Sequence, residues 1–364
     1  MKISEITDYL ESLAPISSQE SYDNSGLIVG NKSTEITKAL VCLDCIESII
    51  DEAIAKNCNL IIAHHPIVFK GLKKLNGKNY VERTLLKAIK NDIAIYAIHT
   101  NLDNYKLGVN KKIGDVLGIK NTTILSPKGN VLNKISVYVP TNEVEQVREA
   151  AFAAGAGNIA NYTECSFGTE GVGTFKGNEA SNPVYGEKGK RSSEAETKLE
   201  FLVSKHSSHQ VVRSIINAHP YEEVAYDIYA LENENQDEGS GMIGELDSPI
   251  NETDFLQMVK DKFNCGTIRH TALQNKPIER VAWCGGSGSF LLNVAKSKKA
   301  DIFITADFKY HEFFDAENQL IIADIGHFES EQFTIDLIAD FITKKFPTFA
   351  LCLTENNTNP VKYF

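Results

Sequence analysis

The sequence predicts an α/β protein: a mainly parallel sheet flanked by helices, with a smaller α+β domain inserted into it. Three observations predict this. From about residue 39 short apolar runs alternate with helical periodicity. The same rhythm resumes near residue 280. Between residues 126 and 245 a strand–helix–strand pattern occurs twice in succession. Strands that are apolar throughout and separated by helices indicate parallel pairing with both faces covered.

Residues 1–125 form the first part of the main domain. "MKISEITDYLESL" has apolar residues at Ile3, Ile6, Leu10 and Leu13 with acidic residues between, an amphipathic helix and not a signal peptide. "ALVCLD" then reads as a strand, "IESIIDEAIAKN" as a helix and "NLIIAH" as a strand. "YVERTLLKAIKN" is a helix, "IAIYAIHT" a strand and "NKKIGDVLGI" a helix. In the insert, "KISVYVPTNEVEQVREAAFAAGAGNIANYTECSF" and "KLEFLVSKHSSHQVVRSIINAHPYEEVAYDIYAL" give a split β-α-β arrangement of the ferredoxin-like kind. The segment "GTFKGNEASNPVYGEKGKRSSEAET" reads as a long exposed loop, and "ENENQDEGSGM" as the return to the main domain. Residues 246–364 complete that domain. They contain strands at "RVAWCGG", "DIFITAD", "LIIADIG" and "FALCLT", and helices at "SFLLNVAKSKK" and "SEQFTIDLIADFITKKF".

Composition narrows the function. At 364 residues with 42% hydrophobic and 23% charged residues, the chain has material for a substantial core. Its net charge of −11 argues against nucleic acid or an anionic membrane surface as a general partner. No stretch reaches the roughly 18 apolar residues of a membrane span, so a cytoplasmic protein is expected. Seven cysteines do not make a disulfide framework. The lone C-x-x-C at Cys42 and Cys45 reads as a strand end in a reduced core rather than a redox or zinc motif.

Sites in open α/β sheets form at the carboxyl ends of strands. Three such ends finish in metal-ligand residue types: His64 and His65, then His99 and Asp103, then Asp324, His327 and Glu331. Successive side chains of extended backbone point to opposite sides. The adjacent imidazoles of His64 and His65 are therefore expected to diverge, one toward each of two ions. His327 and Glu331, four apart at the start of a helix, share one face. Glu331 is the expected bridge, because a carboxylate offers an oxygen to each of two metals. The ligand set His64, His65, Asp103, His327 and Glu331 leaves coordination positions open, as catalytic centres require. Imidazole and carboxylate together suit Zn, Fe or Mn. His99 is an acid/base or substrate-contacting candidate, with a role in orienting the Asp103 loop as the alternative. "WCGGSGSF" could cradle an anion with its backbone N–H groups, but a signal this loose reads rather as a glycine-rich tight turn. Asp307 and His311 are read as hydrogen-bonding support. His219 is read as a packed loop residue rather than part of a second metal site.

These motifs resemble those of the NIF-three family, whose members are often labelled GTP cyclohydrolase I type 2 homologues. The matching segments are "YDNSGLIVG", "AHHPIVF", "IHTNLDNYKLGVN", "CGGSGSF", "ITADFKYH" and "GHFESE". "AGAGNIANYTECSF" and "HPYEEVAYDIYALEN" resemble the longer bacterial branch with a PII- or CutA-like insert. The resemblance implies two divalent ions per chain, with His65, Asp103 and Glu331 on one and His64, His327 and Glu331 on the other. It also implies a toroidal homohexamer. The functions it supports are a metal-dependent hydrolase acting on a nucleotide, phosphoester or cyclic amide, or else a non-catalytic regulatory or chaperone-like assembly. Tyr22 stands where tryptophan is usual, "TADF" replaces the commoner "TGDF", and "NYKLGVN" lacks the common paired glycines.

Overall fold

The computed structural model describes residues 1–364 as two compact units. One is Met1–Pro127 with Asp237–Phe364, and the other is Lys128–Gln236. The first unit begins with α1 (Ile3–Leu13), β1 (Gly26–Val29), β2 (Lys38–Asp44), α2 (Glu47–Ala55) and β3 (Leu60–His65). It continues with α3 (Tyr80–Lys90), β4 (Ala94–Ala97), α4 (Thr100–Asp103), α5 (Val109–Leu117) and β5 (Lys120–Lys128). Local chemistry sets several boundaries. The Asn79 side chain accepts from the Glu82 N–H at the start of α3, and Gly118 ends α5 at φ +81°.

The second unit runs β6 (Leu132–Pro140), α6 (Val144–Ala153), β7 (Ser166–Phe175), β8 (Ser192–Ser204), α7 (Ser208–Ala218) and β9 (Tyr226–Leu231). Its four strands form a wholly antiparallel sheet in the order β7-β8-β6-β9. Ile135, Val137, Val139, Leu199 and Phe201 build its core with α6 and α7. The two ends of the expected long loop are in fact strands of a hairpin. Gly173, Thr174 and Phe175 pair with Glu194, Ser193 and Ser192, which leaves only residues 176–191 outside the ladder. Main-chain pairing overrides the turn-rich composition there.

The chain returns through β10 (Asn235–Ile250), so most of the segment read as the return to the main domain is a strand. Then follow α8 (Glu252–Lys262), β11 (Arg269–His270), β12 (Ile278–Ser287), α9 (Leu292–Ser297), β13 (Ile302–Ala306) and β14 (Ile321–Asp324). The last elements are α10 (His327–Glu331), α11 (Thr334–Lys345) and β15 (Ala350–Leu353). In place of one mainly parallel sheet, this unit has two mixed ones, ordered β1-β4-β3-β2-β15 and β11-β14-β13-β12-β10-β5. Pairing is parallel along β4-β3-β2-β15 and β14-β13-β12, and antiparallel where β1, β11 and β10 join. The joining strands are short, or polar like β10, and so lack the apolar runs that betray a buried strand.

The parallel strands are apolar throughout because both faces are covered. In β3, Leu60 and Ile62 enter the largest apolar cluster, which also takes in α1, α5, α8, α11 and one face of the other sheet. Ile61 and Ala63 face the opposite way, into a cluster with α2 and α3. A third cluster lies against α9 on the outer side of the six-stranded sheet. No helix is long and apolar enough to cross a membrane.

Candidate metal centre

Strand β3 ends on His64 and His65, and β4 leads through Ile98 and His99 into α4, which carries Asp103 at its end. Strand β14 leads through Gly326 into α10, which carries His327 and Glu331. All these strand ends meet at one cleft of about 810 Å³. Four of the five expected ligands line it, and His64 is buried beside them. His64 Nε2 lies 3.5 Å from Asp103 Oδ1 and 3.9 Å from Glu331 Oε2. His65 Nε2 and His327 Nε2 lie 2.9 Å and 3.1 Å from that same Glu331 oxygen.

The arrangement differs from expectation in two respects. The His64 and His65 rings do not diverge, their centroids being 4.8 Å apart. Alternation fixes where the Cβ atoms point, but each ring turns about its own torsions and is held by its own Nδ1 partner. His64 Nδ1 donates to the Ile98 carbonyl at 2.8 Å, and His65 Nδ1 meets Asp44 Oδ1 at 2.8 Å. The pairing also changes: donor atoms close enough to share an ion group as His64, Asp103 and Glu331, as His65, His327 and Glu331, and as His64, His65 and His99. Glu331 is common to the first two groups.

The ring of His64 is fully buried, which lowers its pKa to about 3 and keeps it neutral. A carbonyl can only accept, so the proton sits on Nδ1 and the Nε2 lone pair faces the two carboxylates. Neither His64 Nε2 nor Asp103 Oδ1 has a hydrogen-bond partner, although both atoms are buried. Orphaned buried acceptors facing one another are costly unless a cation lies between them. Burial, reinforced by Glu331, pushes the Asp103 carboxyl well up. Burial opposes charge on Glu331 too, but His327 and His65 outweigh it and hold this carboxyl low. Glu331 in turn is the main cause of the rise of His327 to about 11. Burial would lower His65, but Asp44 and Glu331 raise it to about 9. Two carboxylates, three imidazoles and orphaned lone pairs make a donor set that could hold metal ions.

Further residues brace this set. Asp307 Oδ2 lies 2.6 Å from His327 Nδ1, giving the supporting contact expected of it. Asp44 does the same for His65, and sequence reasoning missed it. Its register partner on β3 is His65 itself, so the strand-end rule applied to "CLDC" would have found it. Asp23, also missed, holds His99: Oδ1 lies 2.8 Å from His99 Nδ1, and Oδ2 accepts from the Thr100 N–H at 3.0 Å. The His99 ring is 5.2 Å from both His64 and His65.

Other candidates fall elsewhere. His311 stacks on Phe314 beside Tyr310 and does not join the cluster. His219 meets the Tyr138 carbonyl through Nε2 at 2.9 Å and accepts from the Tyr221 N–H through Nδ1 at 3.1 Å, so both ring nitrogens are engaged. Cys42 and Cys45 are free and buried, and burial pushes the Cys45 thiol to about 12. The glycine-rich segment is no anion cradle at its first two glycines, since Gly285 N donates to Asn110 Oδ1 and Gly286 N to Ser330 Oγ. Its glycines serve close approach. Gly286 has φ +62°, and a Cβ there would lie 2.4 Å from Glu331 Oε1.

A profile of the Duf34/NIF3 family (NGG1p interacting factor 3) matches residues 1–360. A Halalkalibacterium halodurans protein named "GTP cyclohydrolase 1 type 2 homolog" is 41% identical over 84% of this chain and 82% of its own length. A Bacillus subtilis protein of the same name is 37% identical over 99% and 98%. Among solved structures, a Bacillus cereus protein related to NIF3 is similar with a TM-score of 0.87 and 34% identity, covering 100% of this chain and 99% of that one. A Staphylococcus aureus protein is similar with a TM-score of 0.79 and 30% identity, at the same coverages.

Proposed function

The chain belongs to the Duf34/NIF3 family, and we propose that its cleft is a dinuclear divalent-metal centre of a hydrolase. The observation that carries this is the buried, partnerless pair His64 Nε2 and Asp103 Oδ1 facing Glu331. His64, Asp103 and Glu331 would hold one ion, and His65, His327 and Glu331 the other. Two divalent ions supply Lewis acidity and a water acidified toward neutral pH. The chain's residues do the rest. Asp44 and Asp307 fix the orientation of His65 and His327 through their Nδ1 atoms. Asp23 occupies His99 Nδ1, which leaves Nε2 as the nitrogen able to take or give a proton in the cleft. The substrate is a small molecule of nucleotide, phosphoester or cyclic-amide type. The relatives' shared name points to the nucleotide member of that set.

The test is anaerobic purification with metal analysis, then a screen of nucleotides, phosphoesters and cyclic amides. About two equivalents of divalent ion per chain are expected, falling sharply in His64→Ala and Glu331→Gln. Loss of neither metal nor turnover in Glu331→Gln refutes the reading.

A second reading, a regulatory or chaperone-like assembly without turnover, has its own support. The β-α-β-β-α-β order and the strand order of the smaller unit fit a ferredoxin-like, PII- or CutA-like insert. Its edge strands expose Phe167, Val172, Ile228 and Tyr229, as surfaces that pair with other copies do. We carry the toroidal homohexamer as part of both readings, to be checked by light scattering. Seven free thiols suit the reducing cytoplasm.

A further inference from the structure

The metal-centre reading leaves open what kind of molecule the cleft admits, and three observations restrict it. The first is charge. Besides Asp103 and Glu331, the carboxylates Glu20, Asp44, Asp307, Asp324 and Glu329 line the cleft. Opposite them stands a single guanidinium, Arg269, and no lysine. Arg269 is committed already, to Asp324 and to the Phe308 carbonyl at 3.0 Å. The carboxylates outnumber the positive charges that two divalent ions and Arg269 would bring together.

The second is the missing phosphate apparatus. The segment that most resembles an anion cradle spends the Gly285 and Gly286 N–H groups on Asn110 and Ser330. The α10 start, which follows Gly326, is too short to serve as an anion site by itself, and its Gly326 N donates to Asp324 Oδ1 at 3.2 Å.

The third is the rim. Tyr22, Phe69, Tyr80, Phe290 and Tyr363 all line the cleft, and all are large hydrophobic side chains left exposed. Tyr22 is 68% and Phe290 66% exposed. Exposed aromatic faces around a polar floor suit a flat ring that stacks while its polar edge reaches inward.

We propose that the cleft selects a planar ring compound carrying at most a single phosphate, stacked on Tyr22 and Phe290, and rejects a polyphosphate. This rests on the metal-centre reading and sharpens it: guanine-like rings fit, whereas a triphosphate brings several negative charges into a cleft whose carboxylates already exceed the positive charge of two divalent ions and Arg269.

Titration calorimetry of the metal-loaded full chain with guanosine, GMP and GTP tests it, with metal content measured before and after each titration. Guanosine and GMP should bind, with GTP at least about tenfold weaker. Phe290→Ala and Tyr22→Ala should each weaken guanosine about tenfold, with metal content unchanged. Two metals per chain with GTP binding as tightly as guanosine overturns the proposal alone. So does guanosine affinity indifferent to both substitutions, or no binding of any probe. A chain that never holds metal overturns the metal-centre reading and this proposal with it.

Discussion

Replacing Gly286 by alanine probes the cluster without replacing any of its donor residues. Its φ of +62° costs a non-glycine residue about 1–2 kcal/mol. A Cβ there would also sit 2.4 Å from Glu331 Oε1, 3.2 Å from Glu331 Cδ and 3.2 Å from His327 Cε1. The carboxylate of Glu331 is buried and held between His65 and His327, so it has little room to retreat. Overpacking of this kind adds about 1–3 kcal/mol. Gly118 supplies the control: φ is +81°, and nothing lies within 4 Å of its Cβ position. Gly118→Ala therefore carries backbone strain alone. Gly286→Ala should cost about 2–5 kcal/mol against about 1–2 for Gly118→Ala, read from urea melts of chelated protein. It should also displace the shared carboxylate and lower metal affinity by about ten- to a hundredfold, as loss of a ligand's support does. Metal analysis after dialysis reads this second effect. If Gly286→Ala keeps its metal and is no less stable than Gly118→Ala, the placement of Glu331 against the glycine run is wrong.

Two further outcomes follow from the same contacts. Asp44→Asn removes the anion on His65 Nδ1 and should lower metal affinity about ten- to a hundredfold while the melting curve of chelated protein keeps its shape; unchanged metal retention would refute the bracing role. Glu52 accepts from Lys56, Thr354, the Glu355 N–H and Asn356, and these donors outweigh burial to hold its carboxyl at about 2. A depressed carboxyl stabilises above its ordinary value near 4.5, and that contribution fades as pH falls toward 2. The stability gap between the native chain and Glu52→Gln should accordingly narrow across that window, and a gap independent of pH would contradict the account.

Which parts of this site could be read from the sequence follows from what each signal depends on. His64, His65, Asp103, His327 and Glu331 were visible because strand ends announce themselves: apolar runs such as "NLIIA" and "LIIA" stop at polar residues that the sheet delivers to one edge. The helical offset of four brought His327 and Glu331 together for the same local reason. How the donor atoms group was not visible. It depends on ring torsions set by partners remote in sequence, Ile98 for His64 and Asp44 for His65, and alternation of Cβ directions says nothing about those. The mixed sheets were hidden for a related reason. Strand β10, with "NQDEGSG" at its start, carries no apolar pattern, and only pairing across the fold makes it a strand.

The glycine run shows how one motif can offer two purposes, of which the fold uses one. "CGGSG" at a strand end invites an anion, because free N–H groups there would bind one. Within the fold the Gly285 and Gly286 N–H groups are spent, and lack of a side chain is the property in use. It lets β12 pass against α10 closely enough for Gly285 to approach Glu331 Cγ at 3.3 Å from its Cβ position and Gly286 to approach the carboxylate itself. A bulkier strand would push α10 outward and separate Glu331 from His64 on β3, which belongs to the other sheet. The shared carboxylate can stand between ligands of two sheets because one of those sheets is bare at that point. The glycines thus act on the His/Glu cluster through distance, and an anion pocket at the same place would require the gap that they close.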